Sequence, residues 1–212
     1  KEEYLRDALS RGAFAYVAEQ QHDVDAPCIL VSDIRYSLVV LGQLFYDHVT
    51  DKLTSIGITG TKGKTTTTYL VKSILENAGY KVGLVGTIEV IIGDEHIHAN
   101  NTTPESYLVQ EYFAKMVEAG CTHMVMEVSS QAMMLHRVGG ICFDLGLFTN
   151  ISPDHIGPKE HESFEEYLYY KSRLLTVCRT GVVNRAMDHY EEVVRDASCT
   201  LYTYGLERGA DF

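Results

Sequence analysis

The chain has 212 residues, 45% of them hydrophobic, which is enough for a packed core in one large domain or in one domain and part of another. Its formal net charge of −11 argues against nucleic acid as a partner, because phosphates would be repelled and no cluster of Lys or Arg offers a local exception. All apolar runs are shorter than the ~18 residues of a membrane span, so we expect no contact with a membrane.

The five cysteines are an odd number at wide and irregular spacing. No Cys-x-x-Cys pair is present, so the spacing suggests neither a disulfide framework nor a zinc site. We therefore expect buried free thiols in a protein of the reducing cytoplasm. The cysteines are Cys28, Cys121, Cys142, Cys178 and Cys199.

Apolar, strand-like runs alternate with helical patterns along the chain. Several runs are continuous, which is typical of strands buried on both faces. The sequence therefore predicts an α/β fold with a mostly parallel sheet flanked by helices. The predicted strands are residues 13–19, 28–31, 53–59, 81–87, 123–128, 143–149, 181–184 and 200–204. The predicted helices are residues 2–10, 65–77, 104–118, 163–177 and 188–196.

Two segments carry more detailed expectations. Pro104 suits the first turn of the third helix. Residues 89–97, with Gly93 near the middle, predict a β-hairpin inserted after a strand of the sheet. The third helix is expected to present one apolar face formed by Leu108, Tyr112 and Met116.

The domain organisation follows from the distribution of these elements. The first fifty residues would hold two strands and two helices, too few for a sheet of their own. We therefore place a domain boundary near Asp51, so that residues 1–51 end one domain and residues 52–212 form a second domain of common size.

The most informative stretch lies between the strand at residues 53–59 and the helix at residues 65–77. A glycine-rich turn between a strand and a helix directs main-chain N–H groups at one point, where they can hold phosphate oxygens. Lys64 would reach the outer phosphates and Thr65 a magnesium ion. The strict pattern needs a glycine at the position of Ile58, so an ordinary turn before a helix stays the alternative. The stretch reads Gly60-Thr61-Lys62-Gly63-Lys64-Thr65.

Glu127 is the candidate metal ligand. It ends a buried strand and is followed by Ser129 and Ser130, so a carboxylate and two hydroxyls would emerge at the edge of the sheet where the loop lies. A carboxylate in this position suits magnesium. The alternative is a carboxylate that caps a loop or is paired at the surface.

A second polar cluster follows the next predicted strand. Asn150, Asp154 and His155 would lie at the same edge of the sheet. A lone histidine is more often structural, but His155 directly after Asp154 in a loop beyond a buried strand suits a ligand or a phosphate contact.

Together these motifs resemble the Mur ligases of peptidoglycan synthesis, and in particular the branch that adds the third amino acid of the peptide. The resemblance implies an ATP-dependent ligase, in which the γ-phosphate activates a substrate carboxylate and an amine displaces phosphate from the acyl phosphate. The matches, in chain order, are the loop at residues 59–66, Thr-Thr-Pro-Glu at 102–105, Met-Glu-Val-Ser-Ser-Gln-Ala at 126–132, His136-Arg137-Val138, Thr149-Asn150 and Asp154-His155.

The resemblance also implies roles for single residues at the nucleotide. Thr65 and Glu127 would hold a first Mg²⁺, and His155 would join Glu127 at a second. Asn150 is a further candidate for the nucleotide site. The ATP phosphates would be bound by Gly60, Thr61, Lys62, Gly63, Lys64, Thr65 and Thr66.

On the side of the other substrate, the resemblance assigns Thr102, Thr103, Ser129 and Arg137 to UDP-N-acetylmuramoyl-dipeptide. The guanidinium of Arg137 supplies a planar donor fork suited to a carboxylate or phosphate. From the residues alone, Arg137 can instead be a surface side chain. Thr102 and Thr103 can likewise simply cap the helix that begins at Pro104.

The resemblance singles out Lys171, because the family carries here a lysine that reacts with carbon dioxide to form a carbamate. The carbamate is an anion that can help to hold the second magnesium ion. Its formation needs a neutral amine, so we expect Lys171 out of bulk water and near other cations. A solvated helix lysine is the alternative. The predicted catalytic residues are thus Lys64, His155 and Lys171.

The added amino acid is predicted to be L-lysine. Residues 150–158 resemble the corresponding stretch of the lysine-adding enzymes of Gram-positive bacteria. Relatives that add diaminopimelate usually have Asp-His-Leu-Asp in this stretch. Leu135 stands where those relatives tend to have a glutamine that contacts the substrate. The same reaction with meso-diaminopimelate is the alternative.

The family has three domains, of which this sequence resembles the middle one and part of the first, without the C-terminal domain that binds the amino acid. We expect the chain alone to be a monomer that is inactive as a ligase, because the acyl phosphate would be open to water. Three other classes stay open: a folylpolyglutamate synthase, a P-loop nucleotide hydrolase, and an inactive relative that serves as a binding module.

Overall fold

The computed structural model of the chain describes residues 2–158, 160–206 and 208–212. All predicted strands and the hairpin are present, with ends that differ by a few residues. The strands are β1 (Tyr16–Ala18), β2 (Cys28–Leu30), β3 (Thr54–Thr59), β4 (Val82–Val85), β5 (Glu89–Ile92), β6 (Glu95–His98), β7 (His123–Glu127), β8 (Phe143–Phe148), β9 (Cys178–Asn184) and β10 (Thr200–Tyr204).

The helices include α2, the second helix of the first fifty residues, for which no bounds were predicted from the sequence, and α5, a single short turn after β7 that the sequence did not predict. The α-helices are α1 (Glu2–Ser10), α2 (Ile34–Phe45), α3 (Lys64–Asn77), α4 (Ser106–Glu118), α5 (Ser130–Met134), α6 (Phe164–Ser172) and α7 (Tyr190–Val194). Two 3₁₀ helices span Val49–Lys52 and Arg173–Thr176.

Eight strands form one sheet, in the order β10-β9-β8-β3-β7-β4-β5-β6. From β10 to β4 neighbouring strands are parallel, whereas the hairpin of β5 and β6 adds two antiparallel pairings at one edge. The expected α/β fold with a mostly parallel sheet is confirmed. Strands β3, β4 and β7 are buried almost throughout, which explains their continuous apolar runs.

The register of the central strands brings the predicted site together. Ile58 of β3 pairs with Glu127 at the end of β7, and Thr59 pairs with Phe148 at the end of β8. The segments that follow these strands therefore leave the sheet side by side. This is the edge at which open parallel sheets bind ligands.

The start of α4 differs from the prediction. Pro104 lies outside the helix, which begins at Ser106 after an N-cap at Glu105. Its buried apolar residues are Val109, Phe113 and Met116, whereas Leu108 and Tyr112 are only partly buried. Met116 is buried and Tyr112 packs against the core, whereas the most buried stripe of the helix runs through Val109 and Phe113 rather than Leu108.

The first fifty residues contain two strands and two helices, as predicted. Strands β1 and β2 pair in a separate parallel sheet of two strands. The second helix, α2, is capped by Asp33, whose carboxylate accepts a hydrogen bond from the N–H of Tyr36. Near its C-terminal end, Gln43 donates to the carbonyl of Gly140 at 3.0 Å, which ties α2 to the larger sheet region.

Two of the five cysteines, Cys121 and Cys178, are buried. Cys142 is exposed, so the expectation of buried thiols is wrong there, because this residue lies in the short irregular segment just before β8. Among the described residues, no helix combines the length and the apolar character needed to cross a membrane.

Candidate active site

The loop after β3 depends on two glycines with positive φ. Gly60 has a φ of +149°, and a Cβ there would lie 2.0 Å from the Oγ1 of Thr149. Gly63 has a φ of +82° and forms the N-cap of α3. A side chain is therefore excluded at Gly60 by close packing and is strained at Gly63 by its backbone conformation. The chain passes from strand to helix in the tight turn that a phosphate-binding loop requires.

The segment that follows β8 is hydrogen-bonded to the loop after β3. The N–H of Lys62 donates to the Oδ1 of Asn150 at 2.9 Å, and the Nδ2 of Asn150 donates back to the Lys62 carbonyl at 3.0 Å. The hydroxyl of Thr61 accepts from the N–H of Ser152 at 3.0 Å. Asn150 thus holds the main chain of the loop, and Thr61 is buried in the contact.

Two lysines converge on one carbonyl of the loop. The Nζ of Lys64 donates to the carbonyl of Gly60 at 2.9 Å, and the Nζ of Lys171 donates to the same oxygen at 2.8 Å. Burial lowers the pKa of Lys64, although the carboxylate of Glu127 partly opposes this effect. Two cations that share one acceptor and lie away from water favour a neutral amine or an added anion.

Lys171 is only 2% exposed, so the alternative of a solvated helix lysine is wrong. Its ammonium nitrogen lies over the ring of Tyr167, 4.9 Å from the centroid. Burial lowers the pKa of Lys171 well below its usual range, and the charge of Lys64 lowers it further. The predicted environment, out of water and beside another cation, is confirmed.

Glu127 is 1% exposed at the end of β7. Its carboxylate accepts from the N–H of Thr87 at 2.9 Å and from the hydroxyl of Thr87 at 3.0 Å. A Cβ at Gly86 would lie 2.7 Å from this carboxylate, so the loop after β4 needs a glycine there. The contacts of Glu127 are therefore those of a carboxylate that caps a loop, which is the alternative to a metal ligand that the sequence left open.

These contacts also leave Glu127 suited to a cation. Within the described ranges, no Lys, Arg or His lies within salt-bridge distance of its carboxylate. A buried carboxylate with only neutral donors keeps a charge that a metal ion can compensate. No group of three or more His, Cys, Asp and Glu side chains suited to a metal occurs in the described part of the chain. An ion at Glu127 would need Thr65, phosphate oxygens or water, which suits magnesium.

His155 is hydrogen-bonded to Glu160 rather than to Glu127. Its Nδ1 is 2.9 Å from the Oε1 of Glu160, and about half of its side chain is exposed. Its backbone has a φ of +55°, which is uncommon for a residue with a side chain. Lys62 pairs with Asp154 at 2.8 Å, and this hydrogen bond is the largest of the effects that lower the pKa of Asp154.

Arg137 and Thr103 anchor the other side of the site. The guanidinium of Arg137 donates to the carbonyl of Thr103 at 3.1 Å and pairs with Glu105 at 2.8 Å. The Nε of Arg137 is buried without a hydrogen-bond partner among the described residues. Its side chain is 13% exposed, so the alternative of a surface arginine is wrong.

The two threonines do not cap α4, so that alternative is wrong as well. The hydroxyl of Thr103 donates to the carbonyl of Glu127 at 2.8 Å and accepts from the N–H of Ser129 at 3.2 Å. The hydroxyl of Thr102 lies 3.1 Å from that of Thr87 and donates to it, because the proton of Thr87 is given to the carboxylate of Glu127. Ser129 in turn caps α5 by accepting from the N–H of Ala132.

One cleft brings seven of the fifteen predicted site residues together. Glu160 and Ser130, which the sequence did not single out for a role, line it too. The predicted residues that line the cleft are Lys64, Thr102, Thr103, Ser129, Arg137, His155 and Lys171. Thr65 and Thr66 lie nearby in the first turn of α3, partly buried and exposed respectively.

Residues 58–212 match the family profile of the Mur ligase middle domain. The chain belongs to the Mur ligase family. The expected family is therefore confirmed, and the phosphate-binding loop, Glu127 and Lys171 all lie within the matched part of this Mur ligase chain.

Curated relatives of this Mur ligase chain carry two different names. The UDP-N-acetylmuramoyl-L-alanyl-D-glutamate–L-lysine ligase of Streptococcus thermophilus is 43% identical over 199 residues, which cover 93% of this chain and 41% of that protein. The UDP-N-acetylmuramoyl-L-alanyl-D-glutamate–2,6-diaminopimelate ligase of Bacillus cereus is 41% identical over 218 residues, which cover 99% of this chain and 44% of that protein. The chain thus spans 41% and 44% of the length of these two relatives.

A solved structure of a UDP-N-acetylmuramoyl-L-alanyl-D-glutamate–2,6-diaminopimelate ligase has the same fold as this Mur ligase chain. The TM-score is 0.85 at 23% identity, and the match covers 99% of this chain and 44% of that one. The likeness extends over the two-stranded sheet as well as the eight-stranded one.

The sequence did not identify several residues that shape the Mur ligase site. Thr87, Tyr167 and His161 make their contacts to residues far away in the chain, which no local pattern reveals. The one usable signal was position. Thr87 follows β4 as Glu127 ends β7, and neighbouring parallel strands bring such positions to the same edge of the sheet.

Proposed function

We propose that the whole protein is an ATP-dependent, ADP-forming ligase that adds L-lysine to UDP-N-acetylmuramoyl-L-alanyl-D-glutamate. One observation carries this proposal. Lys64 of the phosphate-binding loop and Arg137 of the opposite wall line the same cleft, and Lys171 of α6 is buried against the loop. Such a cleft suits a phosphoryl donor and an anionic acceptor held face to face.

In this reaction the γ-phosphate passes to a substrate carboxylate, and ADP leaves. The N–H groups from Gly60 to Thr66, together with Lys64, would hold the phosphates. Arg137 would orient an anionic group of the muramoyl dipeptide, and Thr102, Thr103 and Ser129 would contact the same substrate. The amine of the amino acid then displaces phosphate from the acyl phosphate and forms the amide. Positioning and charge stabilisation supply most of such a rate enhancement.

The cofactor assignment is part of the proposal. Thr65 and Glu127 would hold one Mg²⁺, and Glu127, His155 and a carbamate on Lys171 would hold a second. Bound magnesium would neutralise charge on the phosphate oxygens. The neutral amine of Lys171 would add to carbon dioxide and lose a proton, which leaves one negative charge. Its burial and lowered pKa support this assignment.

L-Lysine is favoured over meso-diaminopimelate by residues of this chain. Leu135 follows α5 where relatives that add diaminopimelate tend to have glutamine, and Ile156 and Gly157 follow His155 in place of Leu-Asp. Relatives of both names occur at similar identity, so overall similarity does not decide between the two amino acids.

We further propose that a domain boundary lies near Asp51 and that the protein is a cytoplasmic monomer without nucleic-acid or membrane partners. The separate sheet of β1 and β2, and a family match that starts at residue 58, support the boundary. The net charge of −11 supports the absence of nucleic acid.

The test is phosphate release by the whole protein with ATP, Mg²⁺ and UDP-N-acetylmuramoyl-L-alanyl-D-glutamate, with L-lysine or meso-diaminopimelate added in parallel. We expect release that depends on L-lysine. Release only with diaminopimelate would keep the ligase and overturn the amino acid. Release without either amino acid would indicate a nucleotide hydrolase, and release with folate and glutamate would indicate a folylpolyglutamate synthase. No release under any condition would leave the inactive binding module.

A further inference from the structure

A buried histidine contacts a serine at the wall of the cleft. His161 is fully buried at 0% exposure, and its Nε2 lies 2.8 Å from the Oγ of Ser130. Its ring packs near those of Tyr167 and Tyr170, with centroids 5.5 Å and 5.8 Å away. The imidazole is therefore held in one orientation, with one nitrogen directed at a residue that lines the cleft.

The carboxylate of Glu166 decides which nitrogen carries the proton. The Nδ1 of His161 lies 3.6 Å from the Oε2 of Glu166 and has no hydrogen-bond partner in the described part of the chain. The same Oε2 is fixed by the N–H of Glu162 at 2.7 Å. A negative charge on this side favours a proton on Nδ1, so Nε2 carries the lone pair. The hydroxyl of Ser130 then donates to Nε2.

The hydrogen bond to His161 determines whether Ser130 acts as a donor or as an acceptor in the cleft. Because its proton is directed at His161, its oxygen offers only lone pairs to a ligand. The side chains of Lys64 and Arg137, which line the same cleft, can only donate. Ser130 is thus a neutral acceptor in the same cleft as two strong donors, and a neutral acceptor recognises an N–H or O–H group rather than a carboxylate or phosphate.

We propose that Ser130 accepts a hydrogen bond from an N–H group of a substrate, and that His161 is the positioning residue that holds Ser130 in this role. This inference rests on the proposed ligase function. The N–H belongs either to an amide of the muramoyl dipeptide or to the attacking amine of the amino acid. An acceptor at the amine would direct its lone pair at the acyl phosphate.

The test compares three variants of the whole protein in the assay of phosphate release. Ser130→Ala removes the acceptor, and kcat/KM should fall about fivefold to tenfold, as for one neutral hydrogen bond. His161→Asn is too short to reach Ser130 and should give a similar loss. His161→Gln can place an amide oxygen near the position of Nε2 and should restore most of the activity. Ser198→Ala, which loses an exposed bond to the Thr176 carbonyl at the far edge of the sheet, is the matched control.

A double variant separates positioning from general disturbance. If His161 acts through Ser130, the pair Ser130→Ala and His161→Asn should lose no more activity than Ser130→Ala alone. Losses that multiply would overturn the role of His161. A Ser130→Ala variant with unchanged kcat and KM for both substrates would overturn the role of Ser130.

The kinetic constants identify the source of the N–H group. A rise in KM for the muramoyl dipeptide alone indicates the peptide amide, whereas a lower kcat with a raised KM for lysine indicates the attacking amine. Thermal unfolding of each variant reports on the fold. If His161→Asn does not fold, the two single variants Ser130→Ala and His161→Gln are compared instead. Failure of the ligase function would show in the unmodified protein, before any variant is measured.

Discussion

Charged side chains are arranged differently at the edge of the sheet where the parallel strands begin and at the edge where they end. At the edge where the strands begin, Asp144 accepts from the N–H of Ser55 at 2.8 Å and from the guanidinium of Arg179 at 2.7 Å. At the edge where the strands end, Lys64 and Lys171 donate to one main-chain carbonyl. The first edge neutralises its charge within the chain, whereas the second gathers like charges and buries them.

We interpret the first edge as structural and the second as the one that carries the proposed function. An acid satisfied by an N–H group and an exposed arginine costs little and fixes two strands. A buried and a partly buried lysine that share one carbonyl cost stability, and a ligand that brings negative charge would offset this cost. Substitutions at the first edge should therefore affect folding, and substitutions at the second should affect activity.

Replacing the buried lysine should break this comparison most clearly. In Lys171→Met, we expect turnover of the whole protein to fall at least about a thousandfold, because a charge next to the phosphates is lost. Stability at pH 7 should stay equal or rise by about 1 kcal/mol, because an amine no longer has to be buried. Phosphate release and thermal unfolding measure the two effects. A variant with reduced stability and retained turnover would make Lys171 a structural residue.

Replacing the first glycine of the loop should have the next largest effect. In Gly60→Ala, the added Cβ meets Thr149, and we expect a loss of about 2–4 kcal/mol in unfolding free energy and weakened ADP binding. Gly63→Ala is the matched control, since nothing lies within 4 Å of its Cβ. Its positive φ alone should cost about 1 kcal/mol. Denaturant unfolding and ADP titration measure both, and equal losses at the two positions would contradict the packing argument.

At the opposite edge, Asp144→Ala should lower stability by about 1–3 kcal/mol, because the buried N–H of Ser55 loses its acceptor. Ligase activity should be unchanged at temperatures where the variant is folded. Arg179→Met is the control and should change stability by less than about 0.5 kcal/mol, since its side chain is 71% exposed. A loss of kcat without a loss of stability in Asp144→Ala would show that this edge takes part in function.

The smallest expected effect is on the pH dependence of stability and comes from Asp211, whose carboxylate is hydrogen-bonded to neutral groups. Asp211 accepts from the hydroxyl and the N–H of Thr203, each at 2.7 Å, and these bonds lower its pKa. A lowered pKa gives stability that is present above the unfolded pKa of about 3.9 and is lost as pH falls through the folded pKa. Asp211→Asn should therefore lose less stability than the unmodified protein between pH 5 and pH 2, as measured by thermal unfolding. Parallel pH profiles for the two proteins would contradict this.

The sequence predicted the strands and the edge of the site because long-range burial leaves a local trace. Continuous apolar runs end at Glu127 and before Asn150, and the parallel sheet then forces both to one edge. Helix α5 left no such trace, since five residues are too short for a periodic pattern.

The hydrogen bonds of the site were beyond the reach of the sequence. Thr103 bonds Glu127 and Ser129 rather than capping α4, and Thr87 meets Glu127 across 40 positions of chain. These partners depend on how strands β4 and β7 are aligned, and that alignment is set by the whole core. Residue types at a motif thus predict which chemistry is available, but not which atoms are engaged before a ligand arrives.

The hairpin of β5 and β6 has a practical consequence. Its turn at Gly93 lies near Lys81 and Ala119, at the edge where the parallel strands begin and away from the cleft. A fluorescent reporter inserted after Gly93 would therefore sit on an outer strand, where it neither blocks the phosphate-binding loop nor interrupts the central strands. Such a labelled protein would leave the cleft at the opposite edge accessible to a ligand.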